Sequence, residues 1–284
     1  MTCDLCQGRV ARRAVGDQRM LVCRGCGFGQ VVGGATGGAD YWDRRGDLAG
    51  ELAKPYWTTA RTSVFAAALD RLAGGVQGRT LLDIGGGVGH FAACALEQGW
   101  DAYSLDVSPT ATEIAGDRLG ADRAVTELPP SLAGRCDAVT LWCVIAHVPD
   151  ARPLLDQAVQ ALRPGGRLFL TTPNFRFQAG YARVLAAANR PLDFAAHDHR
   201  LHFTAASLRL LLGRAGLRVE QFAYVGVTED CLFDRRLAGA LVPAKRVWNW
   251  TSVQLARGGL PLLSSELQVL ATVTAGDAAP VTVG

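Results

Sequence analysis

No stretch of this sequence stays apolar for the ~18–20 residues that a bilayer-spanning helix needs. The N-terminus runs straight into Cys3-Asp4-Leu5-Cys6, so no signal peptide is expected. A cytoplasmic protein without membrane contact is therefore expected. In that compartment its eight cysteines serve as thiols or metal ligands rather than disulfides. An excess of one charge is also missing. The 29 Lys and Arg stand against 26 Asp and Glu, a net charge of +3, and no basic run reaches five residues. That balance argues against a broad phosphate-binding footprint, and so against nucleic acid as a partner. With 19% charged and 49% hydrophobic residues, the chain has a core-forming composition. Its 284 residues suit one large domain plus a small one.

What is present centres on Leu81-Leu82-Asp83-Ile84-Gly85-Gly86-Gly87-Val88-Gly89-His90-Phe91. The apolar run is short enough for a buried parallel strand, and Phe91, Ala92, Ala95 and Leu96 then recur at helical spacing up to Gly99. Strand, glycine turn and helix open a doubly wound α/β domain, in which ligands sit outside the carboxyl ends of the strands. The turn is not a dinucleotide fingerprint. G-x-G-x-x-G read from Gly85 would need a third glycine where His90 stands, and read from Gly86 a second where Val88 stands. Asp106 ends the next apolar stretch, where a carboxylate can accept both hydroxyls of a ribose. NAD enzymes place an acid there too, so the glycine spacing discriminates and Asp106 alone does not.

Cys3-x-x-Cys6 and Cys23-x-x-Cys26, with sixteen residues between the pairs, have the spacing of a four-thiolate zinc shell. Residues 1–32 read as a zinc ribbon with two short strands, near Arg9–Ala11 and Met20–Val22. The alternative is a redox dithiol, but a Cys-x-x-Cys of that type opens a helix in a βαβ unit. Four cysteines close the shell, so the site is structural. Residues 33–54 read as a linker, 55–274 as the large domain and 275–284 as a tail. Within 55–73, a helix with Ala60, Val64, Ala68 and Leu72 on one face precedes the first sheet strand, and Tyr56 and Trp57 either pack or line the pocket. Strands follow near Arg123–Val125, over 137–145, over Arg167–Thr172, over Leu217–Val225 and over Ser265–Val273, the last expected as an antiparallel edge. Thr204 N-caps a helix ending at Gly216. Residues 232–256 read as largely helical, with Trp248 and Trp250 in the core or roofing the pocket.

The spacing Asp83-x-Gly85-x-Gly87-x-Gly89 resembles the first motif of the class I S-adenosylmethionine-dependent methyltransferases. Ala146-His147-Val148-Pro149-Asp150 is similar to that family's Glu-His-Val-x-Asp-Pro, Leu162-Arg163-Pro164-Gly165-Gly166-Arg167-Leu168 to its post-helix turn, and His199-Arg200-Leu201-His202-Phe203-Thr204 to its His-Leu-x-His-Phe-Thr. The front segment resembles the zinc-binding N-terminus of some bacterial sugar C-methyltransferases and natural-product tailoring enzymes. The resemblance implies a seven-stranded, mostly parallel Rossmann-like sheet. It implies S-adenosylmethionine contacts from Asp83, Gly85, Gly87, Gly89, Asp106, Val107, Glu127 and Trp142. Glu127 is either an adenine contact or a surface carboxylate, and Trp142 either a cofactor contact or plain core. Two departures stand out: Ala146 replaces the glutamate, and Cys143 occupies a frequent histidine position.

Residues 175–203, with Phe175, Phe177, Tyr181 and Phe194, are too irregular for a simple connection and read as an acceptor lid. His199 and His202 are the first choices for a general base, with His147 beside the reaction centre or structural. His197, Asp198, His199 and His202 as a second metal site is a competing reading, as is His202 capping the next helix. Function follows as methyl transfer to a small-molecule acceptor, a biosynthetic or natural-product intermediate. An RNA methyltransferase using the ribbon, or a non-catalytic cofactor binder, are the other readings. Oligomeric state and the methylated atom are left open.

Overall fold

The structure is a computed structural model. It describes residues 1–33, 62–187, 189, 199–225, 247, 250–251, 254–255 and 264–274. The readings for residues 34–54, Tyr56, Trp57, Phe194, His197, Asp198, Trp248 and the tail lie outside the described residues.

A seven-stranded sheet forms the centre. Its strands are β4 (Thr80–Ile84), β5 (Asp101–Leu105), β6 (Ala124–Val125), β7 (Cys136–Trp142), β8 (Leu162–Pro173), β10 (Leu217–Val225) and β11 (Glu266–Val273). Their order is β10-β11-β8-β7-β4-β5-β6. β4, β5, β6, β7 and β8 pair in parallel, whereas β11 is antiparallel to both β8 and β10. This is the expected doubly wound, mostly parallel architecture.

Two strand readings are corrected. β11 is not an edge strand: it lies between β8 and β10, and the edge is β10. Its alternating sequence suggested one exposed face, yet Leu267–Ala271 are all buried. The fourth strand stops at Trp142, not at residue 145. Cys143 turns left-handed at φ 60, and Val144–Ala146 form a 3-10 turn. The unbroken apolar run hid that turn, because periodicity cannot separate a strand end from a buried helical turn.

The helices cover the sheet with stripes set by the 3.6 period. α1 (Thr62–Ala73) buries Phe65, Ala68, Leu69 and Leu72. α2 (His90–Glu97) follows the glycine turn and is closed by Gly99 at φ 79. α3 (Pro109–Leu119) starts at Ser108, whose hydroxyl accepts from the Ala111 amide, with Pro109 at its first position. α4 (Ala151–Ala161) is capped by Asp150. α5 (Phe175–Ala187) occupies the start of the stretch read as irregular. Trp250 is exposed, so it is not in the core.

Residues 1–31 form β1 (Val10–Val15), β2 (Gln18–Cys23) and a third strand, β3 (Gly29–Val31). β3 was not legible because it is three residues long and glycine-led. A fourth strand, β9 (Leu201–His202), joins this small sheet from the far end of the chain. β9 runs directly into α6 (Ala205–Arg214), whose Thr204 and Ser207 form a reciprocal capping box. Cys3, Leu5, Cys23 and Cys26 share one core cluster with Leu201, Phe203, Leu208, Leu211 and Leu212. The N-terminal strands are thus packed against the rest of the chain through β9 and α6.

Candidate active site and tetracysteine cluster

The carboxyl ends of β4, β5 and β7 lie side by side, and the register aligns three polar residues there. Asp83 is the direct partner of Ser104 on β5 and of Thr140 on β7. All three are buried. Thr140 Oγ1 donates to Asp83 Oδ1 at 2.6 Å. Ser104 Oγ has no hydrogen-bond partner among the described residues, and a Cβ on Gly86 would run into it. Burial pushes the Asp83 carboxyl up to about 7. The Thr140 hydrogen bond opposes that rise, and the Asp106 charge adds to it.

The glycine turn rests on this row. Gly85, Gly87 and Gly89 have φ of 69, 54 and 79. The Gly85 and Gly86 amides donate to the Leu105 carbonyl at 2.6 and 3.1 Å. A Cβ on Gly85 would fall inside the Val144 side chain, so only glycine satisfies both the backbone and the space. Asp106 stands at the tip of β5. Its Oδ2 accepts from the Gly87 amide at 2.8 Å and its Oδ1 from the Ser108 amide at 3.0 Å. The proposed ribose acid thus also fixes the turn. Val107 is exposed beside it, and Glu127 is exposed just after β6. Trp142 is half-buried among Phe65, Phe91 and Phe169, with ring centroids 4.9, 5.0 and 5.1 Å away.

The three described histidines singled out in the sequence come together. The His147 and His199 rings lie 4.7 Å apart at 62°, and those of His199 and His202 6.3 Å apart at 82°. The Arg200 amide donates to the Ala146 carbonyl at 2.7 Å, which ties the segment before β9 to the turn after β7. His202 is 2% exposed, packs on Phe175, and has Nδ1 3.1 Å from Gln178 Oε1. With that oxygen as acceptor, Nδ1 carries the proton. Burial holds its imidazole down to about 4, so it is neutral at physiological pH. His199 and His147 are half-buried.

The four cysteine sulfurs lie within 4.8 Å of one another. Cys3 and Cys26 Sγ are 3.7 Å apart, and Cys6 and Cys23 Sγ 3.4 Å. A tetrahedron with metal–sulfur bonds of about 2.3 Å has edges of roughly 3.8 Å, so the cluster fits zinc. The Gly8 amide donates to Cys6 Sγ and the Gly25 amide to Cys23 Sγ. Such donors favour thiolates and repeat the same knuckle in both pairs. No second group of three metal-ligating side chains occurs among the described residues.

Thr140, Ser104, Val144 and Thr204 were not singled out as site residues. Their roles depend on strand register and on contacts across the chain. The one available signal was that a threonine and a serine stand near the ends of strands flanking β4.

The family described as a methyltransferase domain matches residues 56–221. The ubiquinone biosynthesis O-methyltransferase of Xanthomonas axonopodis pv. citri is 30% identical over 154 residues, covering 50% of this chain and 64% of that protein. Its counterpart from Acinetobacter baylyi is 28% identical over 166 residues, covering 54% and 68%. The match thus spans less than two thirds of the first relative's length. A geranyl diphosphate methyltransferase solved in complex with S-adenosylmethionine superposes with a TM-score of 0.50 at 17% identity, over 85% of this chain and 93% of that one, which shows a shared fold. With residues 56–221 of 284 inside the family match and the seven-stranded sheet built around the glycine turn, this chain belongs to the methyltransferase-domain family, as a class I S-adenosylmethionine-dependent member.

Proposed function

We propose that this chain transfers a methyl group from S-adenosylmethionine to a hydroxyl of a small biosynthetic intermediate. The observation that carries the reading is the joint placement of Asp106 and the glycine turn at the carboxyl ends of β4 and β5, with the histidine group at the end of β7. In this reading Asp106 accepts from the ribose, and the turn leaves room for the close approach of a nucleoside. Asp83 lies beneath the turn, where a carboxylate favours a cationic amino acid portion. In this reading Val107 and Glu127 flank the adenine end, and Trp142 packs on Phe91, the second residue after Gly89.

The bound sulfonium supplies an already activated methyl, which leaves by in-line displacement. The chain then has to align the acceptor oxygen, exclude water and take up one proton. His199, paired with His147, is the favoured base. His202 is held neutral and buried, so it orients the segment. The O-methyltransferase relatives support oxygen as the acceptor atom. Zinc on Cys3, Cys6, Cys23 and Cys26 is structural in this reading, because four protein ligands leave no open position.

The test is transfer of labelled methyl from S-adenosylmethionine into a host-cell extract split into RNA, protein and small-molecule fractions. Label in an alkali-stable small-molecule ether supports the reading. Label confined to RNA or protein refutes it.

A further inference from the structure

The ribbon and the histidine group, far apart in sequence, share one strand pair. β3 follows the Cys23–Cys26 knuckle directly and pairs with β9, Gly29 opposite His202 and Gln30 opposite Leu201. The Val31 amide donates to the Arg200 carbonyl at 2.9 Å, and the Arg200 amide donates to Ala146 at 2.7 Å. A continuous hydrogen-bonded path therefore runs from the knuckle through β3 to the residue before His147.

A second connection is shorter. Thr204 Oγ1 donates to the Cys26 carbonyl at 2.6 Å, inside the knuckle, and also accepts from the Ser207 amide at the start of α6. It is buried, two residues from His202. Gly27 lies against the Thr204 methyl, and Phe28 packs on Phe203 with centroids 5.3 Å apart. At Gly29 a Cβ would stand 2.9 Å from the Phe175 ring and 3.3 Å from the His202 Cβ, so β3 lies flush on the residue it positions.

We propose that the metal-loaded knuckle sets the position of His199 and His202, with Thr204 as the positioning residue that couples the two. The proposal rests on the zinc and histidine readings above. Without metal, a knuckle this small loses the constraint that fixes its carbonyls. The Cys26 carbonyl and β3 are the supports that β9 would then lose. The cofactor side, built from β4, β5 and the glycine turn, meets the far end of this path, where Val144 lies against Gly85, but the turn's own hydrogen bonds to Leu105 and Asp106 are made without the knuckle. Metal loss is therefore expected to separate the two halves of the site.

The full-length protein is loaded with Co²⁺, whose thiolate absorption reports occupancy, and then stripped with a chelator. Exchange of the 199–204 backbone amides is expected to rise roughly tenfold or more on stripping. The His199 and His202 imidazole signals in NMR should move as well. Affinity for S-adenosylhomocysteine should change by less than about threefold. Thr204→Val should keep the cobalt absorption yet shift the same imidazole signals, and Thr204→Ser should restore them. Verified metal loss with unchanged exchange and imidazole signals overturns the coupling while leaving the zinc reading standing. Absence of any thiolate–cobalt absorption overturns both. Should Thr204→Val fail to fold, the stripping experiment on the unmodified chain decides.

Discussion

Thr140 and Asp83 are register partners on adjacent parallel strands, and the threonine hydroxyl donates to the buried carboxyl at 2.6 Å. The carboxyl cannot turn away from the glycine turn without breaking that bond. Its environment also makes it an unusual acid, raised from 3.8 to about 7 by burial first.

A raised carboxyl has a definite effect on stability. Between about pH 4 and 7 the folded chain keeps a proton that the unfolded chain has released. The stability linked to Asp83 is therefore full below about pH 4 and is lost as pH rises through about 7. Asp83→Asn should remove that loss, so its melting temperature should gain on the unmodified protein between pH 5 and pH 8. An equal difference at both pH values would refute the shift. Affinity for cationic S-adenosylmethionine should show the opposite trend, rising up to about pH 7 and then levelling. Asp83→Asn should lower that affinity by about tenfold, roughly 1.4 kcal/mol.

Gly85 is constrained twice, by its φ of 69 and by Val144. Gly85→Ala should abolish detectable cofactor binding. Val144→Ala in the same chain removes the collision but leaves the backbone strain, about 1–2 kcal/mol for a residue held left-handed. The double variant should therefore recover binding only in part. Calorimetric titration with S-adenosylhomocysteine reads both, and full recovery would show that the backbone term is absent.

Asp106 serves the turn and the proposed ribose site together. Asp106→Ala removes the acceptor for the Gly87 and Ser108 amides as well as the carboxylate. Cofactor affinity should fall at least about tenfold. Asp106→Asn keeps one acceptor oxygen, so it should lose less affinity and retain more thermal stability. Identical behaviour of the two variants would show that the charge alone matters, and unchanged affinity in both would sink the ribose role.

Much of the sheet was legible because it obeys short-range rules. The Leu81–Ile84 run, the glycine turn and the Thr204 cap each declare an element within a few residues. What escaped was set by neighbours. β11 reads as a half-exposed edge strand, yet β8 and β10 pair with both its edges and two core clusters pack its two faces. β3 is too short to signal itself and exists because β2 and β9 flank it. The same holds at the site. Asp83, Asp106 and the histidines were visible as residue types in a known spacing. Thr140 acts through a partner 57 residues away, and the Thr204 bond to the knuckle, unlike its local cap, spans 178 residues.

His199 and His202 look equivalent in the sequence and are not equivalent in the structure. His202 is buried against Phe175 and Gln178 and held down to about 4. A base of that strength takes up a proton poorly at neutral pH, whereas half-buried His199 faces His147. His199→Ala should therefore leave cofactor affinity unchanged and cut turnover on the identified acceptor by about 10²–10⁴-fold. His202→Gln should cost turnover less and act on acid stability instead. The unfolded chain binds a proton at this residue near 6.5 and the folded chain only near 4. Stability is therefore lost as pH falls across that window, and His202→Gln should flatten the loss. A large turnover defect in His202→Gln with full activity in His199→Ala would reverse the assignment, placing the base on β9 itself.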